Sequence, residues 1–158
     1  MRIGHGYDIH RFVEDKPLML GGVHIPFSQG MLGHSDGDVV LHAICDALLG
    51  AAGLGDIGEH FSDKNPKFKN IASQHLLTHT LGLIKEKNLQ VANIDVSIIA
   101  EVPKLSPHKK TMRETIANLV GIEASYVNIK ATTMEGLGPI GHQEAIAVHA
   151  VVLLNEGI

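Results

Sequence analysis

The opening segment of the chain holds two potential metal ligands of different chemistry, Asp8 and His10, two residues apart. Side chains at positions i and i+2 of a strand point to the same side, so carboxylate and imidazole would converge. His42, in an apolar segment typical of a helix, supplies a third candidate. Three such ligands are what a catalytic zinc uses while keeping a fourth position open. The pattern predicts a zinc site; the alternative for His42 is a hydrogen-bonded core histidine.

A helix predicted over residues 38–49 would carry Asp38, His42 and Asp46 on one stripe, at i, i+4 and i+8. A histidine that binds a metal usually donates its other ring N–H to an acceptor. Asp38 or Asp46 is therefore the predicted acceptor for His42. The alternative is a solvated polar face.

Phosphate-binding chemistry is indicated at two places. His34 and Ser35 precede the helix, where free backbone amides and the helix dipole favour an anion, although Ser35 could equally be a helix cap. Thr132 and Glu135 follow a predicted strand and suit a diphosphate with Mg²⁺, because Mg²⁺ combines one or two carboxylates with substrate phosphates. A capping box is the alternative for this pair.

The glycine motifs of P-loop, dinucleotide-binding and serine-hydrolase proteins are absent from the sequence. A polyphosphate ligand on this acidic chain would need metal ions and helix ends for positive charge. Asp56 and Asp63, in a glycine-rich loop, are candidates for binding hydroxyl groups, with turn formation as the alternative.

Composition predicts one globular domain over residues 1–158, with 44% hydrophobic and 19% charged residues. The net charge of −4 without a basic block argues against a nucleic-acid interface. The sequence lacks an apolar run of about 18 residues, so we expect no membrane span. The single Cys45 excludes an internal disulfide, and the first strand begins directly after Met1. We therefore expect a cytoplasmic protein without a leader segment.

Hydrophobic periodicity predicts a two-layer α+β domain: a mixed four-stranded sheet with helices on one face, plus a small β-hairpin at Gly21-Gly22. The second sheet face is apolar, so we expect another subunit to cover it. The predicted strands span 2–12, 91–100, 126–132 and 144–154, the hairpin strands 18–20 and 23–25, and the helices 38–49, 73–87 and 106–120, the last capped by Ser106.

Several ordered motifs resemble those of the 2-C-methyl-D-erythritol 2,4-cyclodiphosphate synthase family of the non-mevalonate isoprenoid pathway. The resemblance covers essentially the whole chain, and its motifs lie at residues 2–10, 34–38, 54–58, 103–104 and 130–135.

The resemblance implies a homotrimer with active sites between adjacent subunits and sheets facing the threefold axis. It implies that 4-diphosphocytidyl-2-C-methyl-D-erythritol 2-phosphate is cyclised with release of CMP. Zinc would be held by Asp8, His10 and His42, and Mg²⁺ or Mn²⁺ by Glu135 together with the diphosphate.

The resemblance also implies that His34 and Thr133 stabilise the transition state. The implied substrate-binding positions are Asp8, His10, His34, Ser35, Asp56, Ile57, Gly58, Phe61, Ser62, Asp63, Lys64 and Asn65; Ala100, Pro103, Lys104, Leu105 and Ser106 around cytidine; Thr132, Thr133, Met134 and Glu135 at the diphosphate; and His142.

At position 142 family members often carry an Arg, which the resemblance associates with an isoprenoid diphosphate in the axial cavity. His142 would carry less positive charge at pH 7, which puts regulation by such a ligand in doubt. Two other functions remain open: a zinc-dependent nucleotide phosphohydrolase and a non-catalytic trimeric protein that binds a metal or ligand.

Overall fold

The computed structural model describes residues 1–157 and contains a five-stranded mixed sheet beside a separate two-stranded hairpin. The strands are β1 Arg2–Val13, β2 Leu18–Leu20, β3 Val23–Ile25, β4 Gly30–Met31, β5 Leu89–Ile99, β6 Val127–Thr132 and β7 Ala145–Glu156. The sheet order is β4-β1-β7-β5-β6, and β2 pairs with β3. The prediction of four strands in the sheet was wrong, because β4 is two residues long and shows no alternation in the sequence.

Strand β7 is the centre of the sheet. It pairs antiparallel with β1, from Arg2↔Leu154 to Arg11↔Ala145, and antiparallel with β5 on its other side. Strand β6 then pairs parallel with β5. One face of β7 packs against α1, and most side chains of its other face are also buried or half-buried, which explains why β7 is apolar at nearly every position.

The helices are α1 Val39–Ala52, α2 Ile57–His60, α3 Ser73–Glu86, α4 Lys109–Val120 and α5 Gly138–Gly141. Helix α1 begins within one residue of the predicted start, but its cap is Asp38, whose side chain accepts the Leu41 amide, and the alternative of a cap at Ser35 was wrong. The predicted capping role of Ser106 was wrong. Residues 106–108 form a 3₁₀ turn, with His108 N donating to Leu105 O, and they carry no side-chain cap.

The hairpin prediction is confirmed, and both residues of its turn, Gly21 and Gly22, have positive φ. Cys45 is buried in α1, as predicted for a core residue. Burial raises the pKa of its thiol to about 12, so this cysteine is unreactive.

Helix α1 packs directly against β1 because two glycines of that strand face it. A Cβ atom on Gly4 would lie 1.9 Å from the carbonyl oxygen of Ala47, and one on Gly6 would lie 1.9 Å from that of Ala43. Both contacts are with backbone, which has little freedom to move. The two glycines therefore set how closely the helix approaches the strand.

The opposite side of the sheet is open in the single chain. It is mostly apolar along β1 and β7 and polar along β5 and β6, where Lys130 pairs with Asp95 at 2.6 Å. Its exposed side chains include Ile3 at 73%, Tyr7 at 47%, Ile9 at 44% and Val151 at 38% of full exposure. Between residues 1 and 157, no helix is both long enough and apolar enough to cross a membrane.

Candidate active site

Three potential metal ligands converge where β1 meets the first turn of α1. Asp8 Oδ2 lies 2.9 Å from His10 Nε2 and 3.2 Å from His42 Nδ1, and the two imidazole nitrogens are 3.2 Å apart. The structure thus brings together the three side chains predicted as zinc ligands.

The size of this triangle fits a tetrahedral metal site. For metal–ligand distances of about 2.0–2.1 Å, two corners of a tetrahedron lie about 3.3 Å apart. The three observed separations of 2.9, 3.2 and 3.2 Å are close to that length. The donor set of one carboxylate and two imidazoles suits zinc and leaves one position open.

Strand geometry places the first two ligands. Gly4, Gly6, Asp8 and His10 follow each other on the side of β1 that faces α1. The glycines let the helix come close, and the carboxylate and imidazole then meet His42 near the start of the helix. The spacing of glycines and ligands along one strand face therefore builds the triangle.

Each imidazole has a partner for its remaining nitrogen. His10 Nδ1 donates to the carbonyl oxygen of Leu32 at 2.6 Å, which leaves Nε2 free to bind a metal. His42 Nε2 lies 3.0 Å from Ser35 Oγ and 2.9 Å from Ser73 Oγ, which leaves Nδ1 free in the same way.

The prediction that Asp38 or Asp46 accepts from His42 was wrong. Asp38 is fully buried and accepts from the amides of Gly21, Gly22 and Leu41 at 2.7–3.0 Å, which joins the hairpin to α1. Asp46 Oδ1 accepts from the amide of Ile57 at 3.0 Å. Both carboxylates accept backbone amides of segments that pack against α1, the Gly21-Gly22 turn and the start of α2. The sequence does not show that these segments lie next to the helix.

Asp8 and His10 perturb each other strongly in the absence of metal. Burial alone would raise the pKa of Asp8, but its interactions with the two imidazoles, His10 more than His42, outweigh burial and lower the pKa to about 2. Burial would lower the pKa of His10, yet the interaction with Asp8 is stronger and the pKa is raised. In the metal-free centre, the ionised form of Asp8 and the protonated form of His10 therefore stabilise each other.

A cavity of about 470 Å³ opens beside the triangle. Eight predicted substrate-binding residues line it: Asp8, His10, His34, Ser35, Ile57, Gly58, Phe61 and Asp63. His42 and Gly33 join them, and Phe68, Ile71 and Leu76 add an apolar wall that sequence reasoning missed. Apolar residues at these positions carry no signal that separates a cavity wall from the core.

Four further predicted positions do not line this cavity. Asp56 caps α2, because its Oδ1 accepts the amide of Glu59 at 3.0 Å. Asn65 caps a 3₁₀ turn, because its Oδ1 accepts the amide of Lys67 at 3.0 Å. Ser62 Oγ accepts from Lys64 N at 3.3 Å. Without ligand, Asp56, Ser62 and Asn65 thus do the turn chemistry named as the alternative for this loop.

A second cavity, of about 360 Å³, lies at the ends of β5 and β6. It is lined by Ala100, Pro103, Lys104, Leu105, Ser106, Thr132 and Thr133, all predicted, together with Glu101 and Ala131. Within residues 1–157 the two cavities share no lining residue.

Glu135 lies next to the second cavity, on an exposed loop with positive φ of 52°. Glu101 Oε1 accepts the amides on either side of it, Met134 N at 2.7 Å and Gly136 N at 3.2 Å. The alternative of a capping box between Thr132 and Glu135 is wrong, because the chain makes a turn here instead of entering a helix. Glu101 was missed, since a single glutamate after a strand carries no distinguishing pattern.

His142 directly follows α5 and lies outside both sets of cavity-lining residues described here.

The fold and the site define a class of small α+β proteins in which a candidate metal-binding triad lies between a mixed sheet and its first helix. The model of the YgbB family matches residues 1–155, and the chain belongs to this family.

Several relatives carry the same enzyme name. The chain is 57% identical over 154 residues to the 2-C-methyl-D-erythritol 2,4-cyclodiphosphate synthase of Trichlorobacter lovleyi, covering 98% of both chains. A solved 2C-methyl-D-erythritol-2,4-cyclodiphosphate synthase with bound CDP is 36% identical, with a TM-score of 0.90 over 98% of this chain and 100% of that one. The bifunctional IspDF of Campylobacter jejuni is 44% identical with a TM-score of 0.94; the match spans 97% of this chain and 42% of that longer one.

Proposed function

We propose that this protein is an enzyme that cyclises 4-diphosphocytidyl-2-C-methyl-D-erythritol 2-phosphate to 2-C-methyl-D-erythritol 2,4-cyclodiphosphate and releases CMP. It would act as a phosphorus–oxygen lyase of the non-mevalonate isoprenoid pathway, as a single domain over residues 1–158 in the cytoplasm. The observation that carries the proposal is the Asp8–His10–His42 triangle beside a ligand-sized cavity, in a chain 57% identical to a named synthase.

Zinc would be held by Asp8, His10 and His42, and Mg²⁺ or Mn²⁺ by Glu135. The donor set and the triangle size support zinc, and the exposed carboxylate beside two threonines supports the second ion. When bound, these ions neutralise and polarise phosphate groups that would otherwise repel each other.

The chain's own residues would position the reacting groups. An oxygen of the 2-phosphate forms a bond to the β-phosphorus, the bond between that phosphorus and the bridging oxygen breaks, and CMP leaves with the bridging oxygen. Positioning both phosphates supplies about 7–11 kcal/mol as effective molarity, so little acid–base chemistry is required. This explains a site with no dedicated general base.

The two cavities divide the substrate in this proposal. Backbone groups of residues 100–106 would bind cytidine, while Thr132, Thr133 and Met134 would contact the diphosphate. The first cavity would take the methylerythritol phosphate, with Asp56 and the loop 61–65, including Lys64, binding hydroxyl groups. His34 and Thr133 would stabilise the transition state from opposite cavities. Bound CDP in a solved relative of the same fold supports a cytidine pocket.

A homotrimer would bring the cavities together. Within one described chain they have separate linings, and the open sheet face exposes apolar side chains that another subunit would cover. We infer that adjacent subunits each provide one cavity to a shared active site, with the open faces and His142 near the threefold axis.

A phosphorus NMR time course tests the proposal. Purified protein with zinc and Mg²⁺ is mixed with the substrate, and we expect CMP and the cyclic diphosphate in equal amounts. His42→Ala serves as the control and should lose turnover. CMP with an open-chain product would instead show a phosphohydrolase. Absence of turnover by zinc-loaded protein would contradict an enzymatic function and favour a binding protein.

A further inference from the structure

We propose that Ser73 and Asp36 are positioning residues of the metal centre, which together fix the tautomer of His42. The inference rests on the proposed metal site at Asp8, His10 and His42. It assigns a role to Asp36, the member of the 34–38 motif that the proposed reaction leaves unused.

A continuous chain of hydrogen bonds leads from the metal centre to Asp36. His42 Nε2 lies 2.9 Å from Ser73 Oγ, and the Ser73 hydroxyl donates to Asp36 Oδ1. The other carboxylate oxygen, Oδ2, accepts the amide of Ser73 at 3.1 Å, and Oδ1 also accepts the amide of Asp38 at 3.1 Å. Asp36 is thus the acceptor in every contact it makes through its side chain.

The direction of these bonds determines which nitrogen of His42 carries the proton. A serine hydroxyl has one hydrogen, and that of Ser73 is donated to Asp36. Ser73 Oγ can therefore only accept from His42, so the hydrogen lies on Nε2. In the neutral imidazole the lone pair is then on Nδ1, the atom 3.2 Å from both Asp8 Oδ2 and His10 Nε2, and His10 is the imidazole that donates to Asp8.

Ser35 touches the same nitrogen without this constraint. Its Oγ lies 3.0 Å from His42 Nε2 and accepts the amide of Gly37 at 3.2 Å. The hydroxyl of Ser35 also lies 3.5 Å from Ser73 Oγ, but it donates to no carboxylate, so its hydrogen is held less firmly than that of Ser73 and can turn toward His42. Ser35 is consequently a matched control for Ser73, with the same side chain at nearly the same distance.

Burial makes the arrangement stiff. Ser73 is 0% exposed, Ser35 6% and His42 7%, so water does not readily replace a lost partner. Ser73 is the first residue of α3, and its amide and hydroxyl both donate to Asp36. Its hydroxyl oxygen also contacts His42, so Ser73 links α3 to the helix that carries the ligand.

The test compares zinc affinity in Ser73→Ala, Asp36→Asn and Ser35→Ala by competition with a chelator. We expect Ser73→Ala and Asp36→Asn to weaken zinc about 10–100-fold, and Ser35→Ala to change it by less than about threefold. Nitrogen-15 shifts of His42 in the zinc-free proteins report the tautomer directly. We expect the Nε2–H form in the starting protein and in Ser35→Ala, and a mixture in Ser73→Ala. Circular dichroism establishes that each variant is folded.

The outcomes separate this inference from the metal site on which it rests. If His42→Ala leaves zinc affinity unchanged, the proposed metal site itself is wrong. If His42→Ala abolishes binding while Ser73→Ala retains both affinity and tautomer, the metal site stands and the positioning role is overturned. Equal losses in Ser73→Ala and Ser35→Ala with an unchanged tautomer would also overturn it, because the hydroxyls would then matter only for packing.

Discussion

The electrostatic interaction between Asp8 and His10 contributes to the free energy of unfolding of the metal-free protein. The folded pKa of Asp8 is about 2, below its ordinary 3.8, so this contribution is complete above pH 3.8 and lost as the pH falls through about 2. The folded pKa of His10 is raised above 6.5, so its contribution is complete below pH 6.5 and lost as the pH rises through the folded value. The pair therefore stabilises the fold most between these limits.

We expect Asp8→Asn to lower the free energy of unfolding of the metal-free protein, prepared with a chelator, by about 2 kcal/mol between roughly pH 4 and pH 6.5. The difference from the starting protein should shrink on both sides of that window. Urea unfolding of both proteins across the pH range measures it. A difference that is independent of pH would show that the ion pair does not form.

The Glu135 carboxylate should matter for turnover and not for zinc. Its loop lies apart from the triangle, so we expect Glu135→Gln to bind zinc normally yet lose at least about tenfold in turnover, since a carboxylate is a far better Mg²⁺ ligand than an amide. Metal analysis and the phosphorus NMR assay measure the two effects. Normal turnover at saturating Mg²⁺ would contradict the proposed role.

The three metal ligands could be predicted from the sequence, but the hydrogen-bond partners that orient them could not. Asp8 and His10 follow from strand periodicity, and His42 from its place in an apolar helix. Its partner Ser73 lies 31 residues away, on a helix whose packing against α1 no local pattern reveals. Acids four residues before and after His42 suggested Asp38 and Asp46 instead, although backbone amides donate to both carboxylates.

At the scale of elements, the close contact of α1 with β1 is the feature on which the site depends. A methyl group at Gly6 would meet the carbonyl oxygen of Ala43 at 1.9 Å, so the helix would have to move away from the strand. Moving α1 also moves His42 relative to Asp8 and His10.

We therefore expect Gly6→Ala to destabilise the protein by about 1–3 kcal/mol and to weaken zinc binding as well. Gly50→Ala is the control, because Gly50 lies in α1, the helix that packs against Gly6. It is exposed and has nothing within 4 Å of an added Cβ. It should be neutral, or stabilising by up to about 1 kcal/mol. Thermal unfolding and chelator competition measure both variants. Unchanged zinc affinity in Gly6→Ala would show that the triangle tolerates helix displacement.

Long elements were predictable, whereas most short ones were not; the three-residue strands β2 and β3 are the exception, because the Gly21-Gly22 turn marks them. Strands β1, β5, β6 and β7 and helices α1 and α3 have clear apolar periods, and their ends were predicted within about three residues. The two-residue β4, the single turns α2 and α5, and the 3₁₀ start before α4 are set by long-range packing. Their sequences contain too few residues for a period to appear.

At the scale of the whole molecule, the open sheet face supports a prediction about assembly. Val151 lies on that face, in the central strand β7, and is paired with His5 across the strands. A charge there would have to be buried in the proposed trimer, at a large cost in free energy.

We expect Val151→Glu to shift the protein from trimer to monomer, measured by light scattering after size-exclusion chromatography. Thr78→Glu is the control, because Thr78 is exposed on α3, which belongs to the helical layer on the other side of the sheet. Activity should fall with assembly in the first variant and persist in the second. A Val151→Glu protein that remains trimeric would place the interface elsewhere.

The separate linings of the two cavities have a genetic consequence. If each active site combines the metal centre of one subunit with the second cavity of its neighbour, two inactive gene copies can rescue each other within one cell. Chains with His42→Ala and chains with Glu135→Gln, mixed equally at random in trimers, would restore roughly a quarter of the sites. Either allele alone would leave the cell without the activity, whereas the heterozygous state would retain it.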